Sequence, residues 1–391
     1  MSPRPAKSPT QALVQGHHWL LQPFMSARWL NNQHIVHSEV LTPYAQSLAD
    51  LQRADQRIKQ LASAASFQNL STKLIAAFRH AGDPRPEHNP LIFEMSPLTE
   101  EREHNWRKMQ VIDALLQPLI RLKEQATQER RATKEDTTQR RYHPHVECYR
   151  HHLEPQLDNF GGGELLSPEL FFDQPEIEQY YQGVSSAFNA FKKATTDSAF
   201  KKQVEAHRRR GYNAEKSLKA YVDALLTKHD GLDVIYLNLG HRTDLSPTPL
   251  RDIKKDLSTF LQTPTTGAFN HPLVGYIWKL ERSISRGYHH HCFFFFKPGL
   301  ADQGKALSDH LSQRWIMAFT EERGVVSQLD YRAKQNQLLL HPECPAIHRK
   351  GDATYQQLST MLELLIHVDN ITYLDLPTGF RSLGRGQLPK G

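Results

Sequence analysis

The sequence predicts an α+β protein, in which a mainly α-helical N-terminal half precedes a central antiparallel sheet covered by helices. Three observations carry this. Up to about residue 230, tracts rich in Ala, Leu, Gln and Arg repeat their apolar residues near 3.6 positions. Beyond Gly231 the texture changes to short β-branched and aromatic runs that alternate with single helices. Two of those runs, LVGYIWKLERS and GYHHHCFFFF, are separated by so short a link that they must form an antiparallel hairpin.

Taken in order, residues 1–45 show little regular periodicity, and no fold is assigned to them; their tryptophans suit a docking segment. Tyr44 to His80 reads as one or two amphipathic helices, which AGDPRPEHNP interrupts. A further helix begins in SPLTEEREHNWRKMQ, where Ser96 or Thr99 can cap and the acidic first turn suits the helix dipole. The mixed-charge tract ATQERRATKEDTTQRR reads as a solvated helix face or a linker. Ser185 to Lys228 is helical and stops at Asp230-Gly231.

After this stop come a strand at LDVIYLNLG, a helix at SPTPLRDIKKDLSTFLQT, the hairpin, a helix at KALSDHLSQRWIMAFTEER and a last helix at TYQQLSTMLELLIHVDN. The order predicts an antiparallel sheet with helices on one side. The expected divisions are 1–45, 46–230 with sub-blocks parting near 81–96, and 231–391.

Composition narrows the functional classes. The chain has 391 residues, 39% of them hydrophobic, and a mean hydropathy of -0.60, with no apolar run approaching the roughly 18 residues of a membrane span. MSPRPAKSPTQ lacks the apolar core of a secretory signal, so a cytoplasmic protein with no membrane partner is expected. Cys148, Cys292 and Cys344 form no CxxC pair, which argues against a disulfide framework or a four-cysteine zinc site. A formal charge of +6 permits nucleic acid binding.

The 22 histidines gather at 143–152 and 289–291. In the second cluster, strand alternation sends His289 and His291 to one face and His290 to the other. Glu281, eight residues before His289, lies on the partner strand of the hairpin and can supply a carboxylate. Two imidazoles and a carboxylate with open positions suit Mg²⁺ or Mn²⁺ acting on a phosphate. In the first cluster His145, Cys148 and His151 or His152 have spacings that zinc can use, but histidines on a polar helix face explain them better.

GYIWKLERSISRGYHHHCFFFF resembles the core motif of the inovirus-type replication initiators, the YagK/YfjJ C-terminal domain family of the HUH (His-hydrophobic-His) rolling-circle endonucleases. A weaker similarity runs from NAEKSLKAYVDALLTKHDG to the terminal LPTGFRSLGRG, nearly half the chain. The resemblance implies an HUH-type antiparallel sheet and site-specific nicking of single-stranded DNA, with the ion held by His289, His291 and Glu281. It also implies a tyrosine nucleophile that keeps a 5′-phosphotyrosine and releases a 3′-OH. Single-stranded or replication-origin DNA and host replication proteins are the implied partners. Lys279, Arg282, Arg286, Arg381 and Arg385 are the candidate phosphate contacts.

Two positions depart from the family. His290 stands where the family has a hydrophobic residue, and the family's Tyr-Leu-x-Lys segment is here Leu364, Leu365, Ile366 and His367. Leu364 thus replaces the expected nucleophile, and His367 takes the lysine position. Tyr373, beyond the helix, and Tyr331, with Lys334 three residues on, are the alternative nucleophiles. A DNA-binding regulator that has lost cleavage is the competing reading. A zinc hydrolase using the same histidines is a third, with no HExxH, P-loop or GxSxG segment to support it.

Overall fold

The computed structural model describes residues 27–31, 34–36, 43–64, 66–80, 100–132, 140–159, 176–242, 248–262, 273–283, 287–300, 303–329 and 346–387. The first elements are β1 (Ala27–Asn31), β2 (His34–Val36), α1 (Pro43–Ser63), α2 (Phe67–His80), α3 (Glu100–Ala132) and β3 (Arg140–Tyr142). Then follow α4 (Pro144–Asn159), α5 (Glu176–Thr196), α6 (Ser198–His229), β4 (Leu232–His241), α7 (Leu250–Gln262), β5 (Leu273–Ser283) and β6 (Gly287–Phe296). The chain continues through α8 (Gly304–Arg314), β7 (Gly324–Leu329), β8 (Ala346–Ile347), α9 (Ala353–Ile371), β9 (Thr372–Leu374) and β10 (Leu383–Arg385). The protein is therefore α+β, and all pairings given for its large sheet are antiparallel.

Two compact units divide it: 49–127 with 142–208, and 1–48 with 128–141 and 209–391. The boundary expected at Gly231 lies instead within α6. The reason is packing: Tyr221, in the last third of that helix, sets its ring 6.5 Å from that of Phe295 and its hydroxyl accepts from the Tyr276 backbone N–H. The first unit is helical, with the fully buried Tyr149 ring edge-on to Phe191 and its hydroxyl donating to the Leu115 carbonyl at 2.6 Å.

In the second unit the strands run β10-β5-β6-β4-β7-β1-β2, with β8 also paired to β4. The expected hairpin is β5-β6, and the strand expected at LDVIYLNLG is β4, in register Tyr236 to Phe293 and Asn238 to His291. Contrary to the reading of residues 1–45, β1 and β2 extend the sheet by pairing β1 with β7. The helix expected through KALSDHLSQRWIMAFTEER also ends early. Trp315–Phe319 forms a π-helical turn, and Thr320 donates its hydroxyl back to the carbonyls of Trp315 and Ile316.

The expectation of helices on one side is corrected as well, because both faces of the sheet are covered. Cys292, Phe294 and Phe296 face Leu257 and Phe260 of α7, Leu307 and Leu311 of α8, and Trp315. Phe293 and Phe295 face the other way, toward α6. Phe293 to Phe296 are each 0–1% exposed, so a four-residue aromatic run can be accommodated only by a strand buried on both faces. Each such ring contributes roughly 1.5–3 kcal/mol of burial. No helix among the described residues is long and apolar enough to cross a membrane.

Candidate metal centre

Register builds the site. In β5 and β6, Glu281 stands directly across from His289 and Lys279 directly across from His291, so all four side chains share one face. Donor atoms of Glu281, His289 and His291 lie within 4.8 Å of one another, and all three residues are buried. Among the described residues no other group of three His, Cys, Asp or Glu brings its donors that close. The alternative cluster of His145, Cys148, His151 and His152 is not gathered in this way: α4 distributes it, and burial pushes the Cys148 thiol up to about 11, away from the thiolate that zinc requires.

Both imidazoles have their second nitrogen held by an oxygen. His289 Nδ1 is 3.1 Å from the Gly287 carbonyl, which can only accept, so Nδ1 carries the proton. His291 Nδ1 is 2.5 Å from the Tyr236 hydroxyl, and its Nε2 is 3.3 Å from Glu281 Oε2. The Tyr236 hydroxyl can accept from Nδ1 or donate to it; when Nδ1 donates, Nε2 keeps the lone pair that a metal-bound imidazole uses. Burial alone would push the Glu281 carboxyl up, but His291, with Lys279 and His289 adding, outweighs it and holds the carboxyl well below the usual range. One carboxylate oxygen and two imidazole nitrogens are a donor set that fits a divalent ion.

His290 faces the opposite way, edge-on to Trp278 with ring centroids 5.7 Å apart. Burial, with His241, His291 and Lys279 adding, pushes its pKa down to about 3, so it is neutral.

The other expected site residues are placed as follows. Lys279 is buried, not at a solvated strand end, and its Nζ is 2.8 Å from Asp369 Oδ1 of α9. Arg282 is likewise buried, its guanidinium 5.6 Å from the Tyr288 ring centroid. Both therefore sit within the fold, not on its surface as free phosphate contacts. Arg385 lies over Tyr221 and donates to Ser217, whereas Arg381 is exposed. Tyr373 is held in β9 beneath the guanidinium of Arg210, 4.9 Å from its ring centroid, rather than in a loose segment. His367 and Leu364 belong to α9, and Arg286 and Tyr331 lie outside the described residues.

Sequence reasoning missed Tyr236 and Asp369. Tyr236 is 55 residues from His291, and only the β4-β6 register brings them together. An alternating strand beside the hairpin was the available signal, but it does not fix which residue faces which. No family model, curated protein or solved structure matches the chain.

Proposed function

We propose that the protein is a metal-dependent, site-specific nickase of single-stranded DNA of the HUH type, a rolling-circle replication initiator of a phage or prophage-like element. The observation that carries this reading is the pairing of Glu281 with His289 and His291 on one buried sheet face, each imidazole oriented through Nδ1. It joins the motif-level resemblance of the same hairpin. These three residues would hold an Mg²⁺ or Mn²⁺ ion, whose positive charge would polarise a scissile phosphate. In this reading the Gly287 carbonyl and the Tyr236 hydroxyl accept from the two Nδ1–H groups and leave each Nε2 to face the ion. Lys279, paired with Asp369, keeps its ammonium beside Glu281 and favours the ionised carboxylate. A tyrosine hydroxyl then attacks phosphorus, forming the phosphotyrosine bond as the P–O3′ bond breaks and the 3′-oxygen takes a proton.

The test is incubation with labelled single-stranded origin DNA and Mn²⁺, read on a denaturing gel. A covalent adduct that vanishes in His289→Ala and His291→Ala supports nicking, and peptide mapping decides between Tyr373 and Tyr331. Leu364 at the family's nucleophile position favours a second reading, a DNA-binding regulator without cleavage. Metal-independent DNA binding with no adduct under any divalent ion would select that reading.

A further inference from the structure

A cavity of about 410 Å³ opens on the sheet face opposite the triad. Leu257 and Leu261 of α7 form an aliphatic wall, Tyr276 and Trp278 of β5 an aromatic one, and His290 is part of the lining. The size falls in the range of small-ligand sites, roughly 300–1,000 Å³. Trp278 is held in place by its partner across the strand pair: it faces Gly384 in register, and a Cβ there would fall 2.5 Å from the indole. Any larger residue at 384 would push the ring out of position.

Two features of the lining call for a ligand that is neither wholly apolar nor neutral. His290 is 2% exposed, and its Nδ1 has no hydrogen-bond partner, an expensive state unless a polar atom meets the ring. The lining also holds two exposed cations, Lys254 and Arg381, and no acid among the described residues. Lys254 ties α7 to the C-terminal turn, donating to the Gly379 carbonyl at 2.9 Å and lying 4.6 Å from the Phe380 ring centroid. A flat ring with polar edges suits the walls and the imidazole, and an anionic group suits the cations.

We infer that this cavity binds a nucleotide, its base against Trp278 and Tyr276 with an edge toward His290, and its phosphate on Lys254 and Arg381. A free nucleoside monophosphate and one unit of a DNA single strand share this chemistry. The inference stands apart from nicking, because the cavity and the triad occupy opposite faces of the sheet.

Calorimetry of the full chain in EDTA tests it, using the four deoxynucleoside 5′-monophosphates, the matching nucleosides and a short mixed-sequence oligodeoxynucleotide. At least one monophosphate is expected to bind, and more tightly than its nucleoside. Arg381→Ala should weaken it about ten-fold or more, the cost of losing a charged hydrogen bond. Ser258→Trp, at an exposed lining position on α7, should abolish binding by filling the cavity while leaving Mn²⁺ binding at the triad as evidence of folding. If only the oligonucleotide binds and both variants weaken it, the ligand is a strand unit. Failure of all probes to bind, or binding indifferent to both variants, would overturn the inference.

Discussion

Tyr236 and His291 meet across neighbouring strands, hydroxyl to Nδ1 at 2.5 Å, although 55 residues separate them in the chain. When Nδ1 donates in this contact, Nε2 is the nitrogen left to face an ion. Tyr236→Phe keeps the ring that packs 5.1 Å from Phe293 and removes only the oxygen. Mn²⁺ affinity measured by calorimetry should fall by about ten-fold or more, as for other partners of ligating histidines, while the metal-free protein loses only about 1–3 kcal/mol, the cost of one buried nitrogen left unpaired.

Metal and fold should be linked. If Mn²⁺ binds the assembled triad and not the unfolded chain, a hundred-fold excess over Kd should stabilise the protein by about 2.7 kcal/mol. A thermal melt with and without Mn²⁺ reads this, and His289→Ala together with His291→Ala should erase the shift. A shift that persists in the double variant would place the ion elsewhere.

The Lys279–Asp369 pair has one deeply buried partner. Asp369→Asn leaves the ammonium inside the sheet-helix interface beside Glu281 alone, and unfolding in urea should show a loss of about 2 kcal/mol, below the cost for a fully buried pair because Asp369 is partly exposed. Lys279→Met combined with Asp369→Asn should recover most of that loss.

Acid should weaken the helical unit through His143 and His145. Burial, with Lys59, His207 and His145 adding, pushes His143 down to about 2; burial, Lys59 and Lys192 push His145 down to about 4. Unfolded, both titrate near about 6.5, so below that pH the unfolded chain binds more protons and stability falls as pH falls. The slope from His143 alone is at most about 1.4 kcal/mol per pH unit. His143→Asn keeps an acceptor for the His145 backbone N–H and should flatten the decline in urea midpoint between pH 7 and pH 5.

Much of the hairpin was legible because its information is local. A tight link sets the antiparallel pairing, and period-two alternation then decides that His289 and His291 share a face with Glu281 and not with His290. What could not be read was long-range. The faces of β5 and β6 are covered by α6, α7, α8 and α9, and nothing in a helix's own periodicity says which side of a sheet it will take. For that reason Lys279 and Arg282 read as surface cations, though packing buries both. The strands β1 and β2 are short, β1 pairing with β7 and β2 with β1, so periodicity within residues 1–45 had too few positions to report them.

The His-His-His-Cys-Phe-Phe-Phe-Phe strand also carries an error check on its own alignment. Four consecutive phenylalanines satisfy either face equally, so that half of β6 is indifferent to a one-residue slip. The histidine half is not: slipping by one would bring His290 alone to the face of Lys279 and Glu281, leave the carboxylate with a single imidazole, and turn two polar rings into the aromatic layer beneath Trp278. Hydrophobic burial thus supplies the strength of this strand, while within it only the polar end distinguishes one alignment from the next, and a bound ion would penalise the misaligned hairpin by one missing ligand.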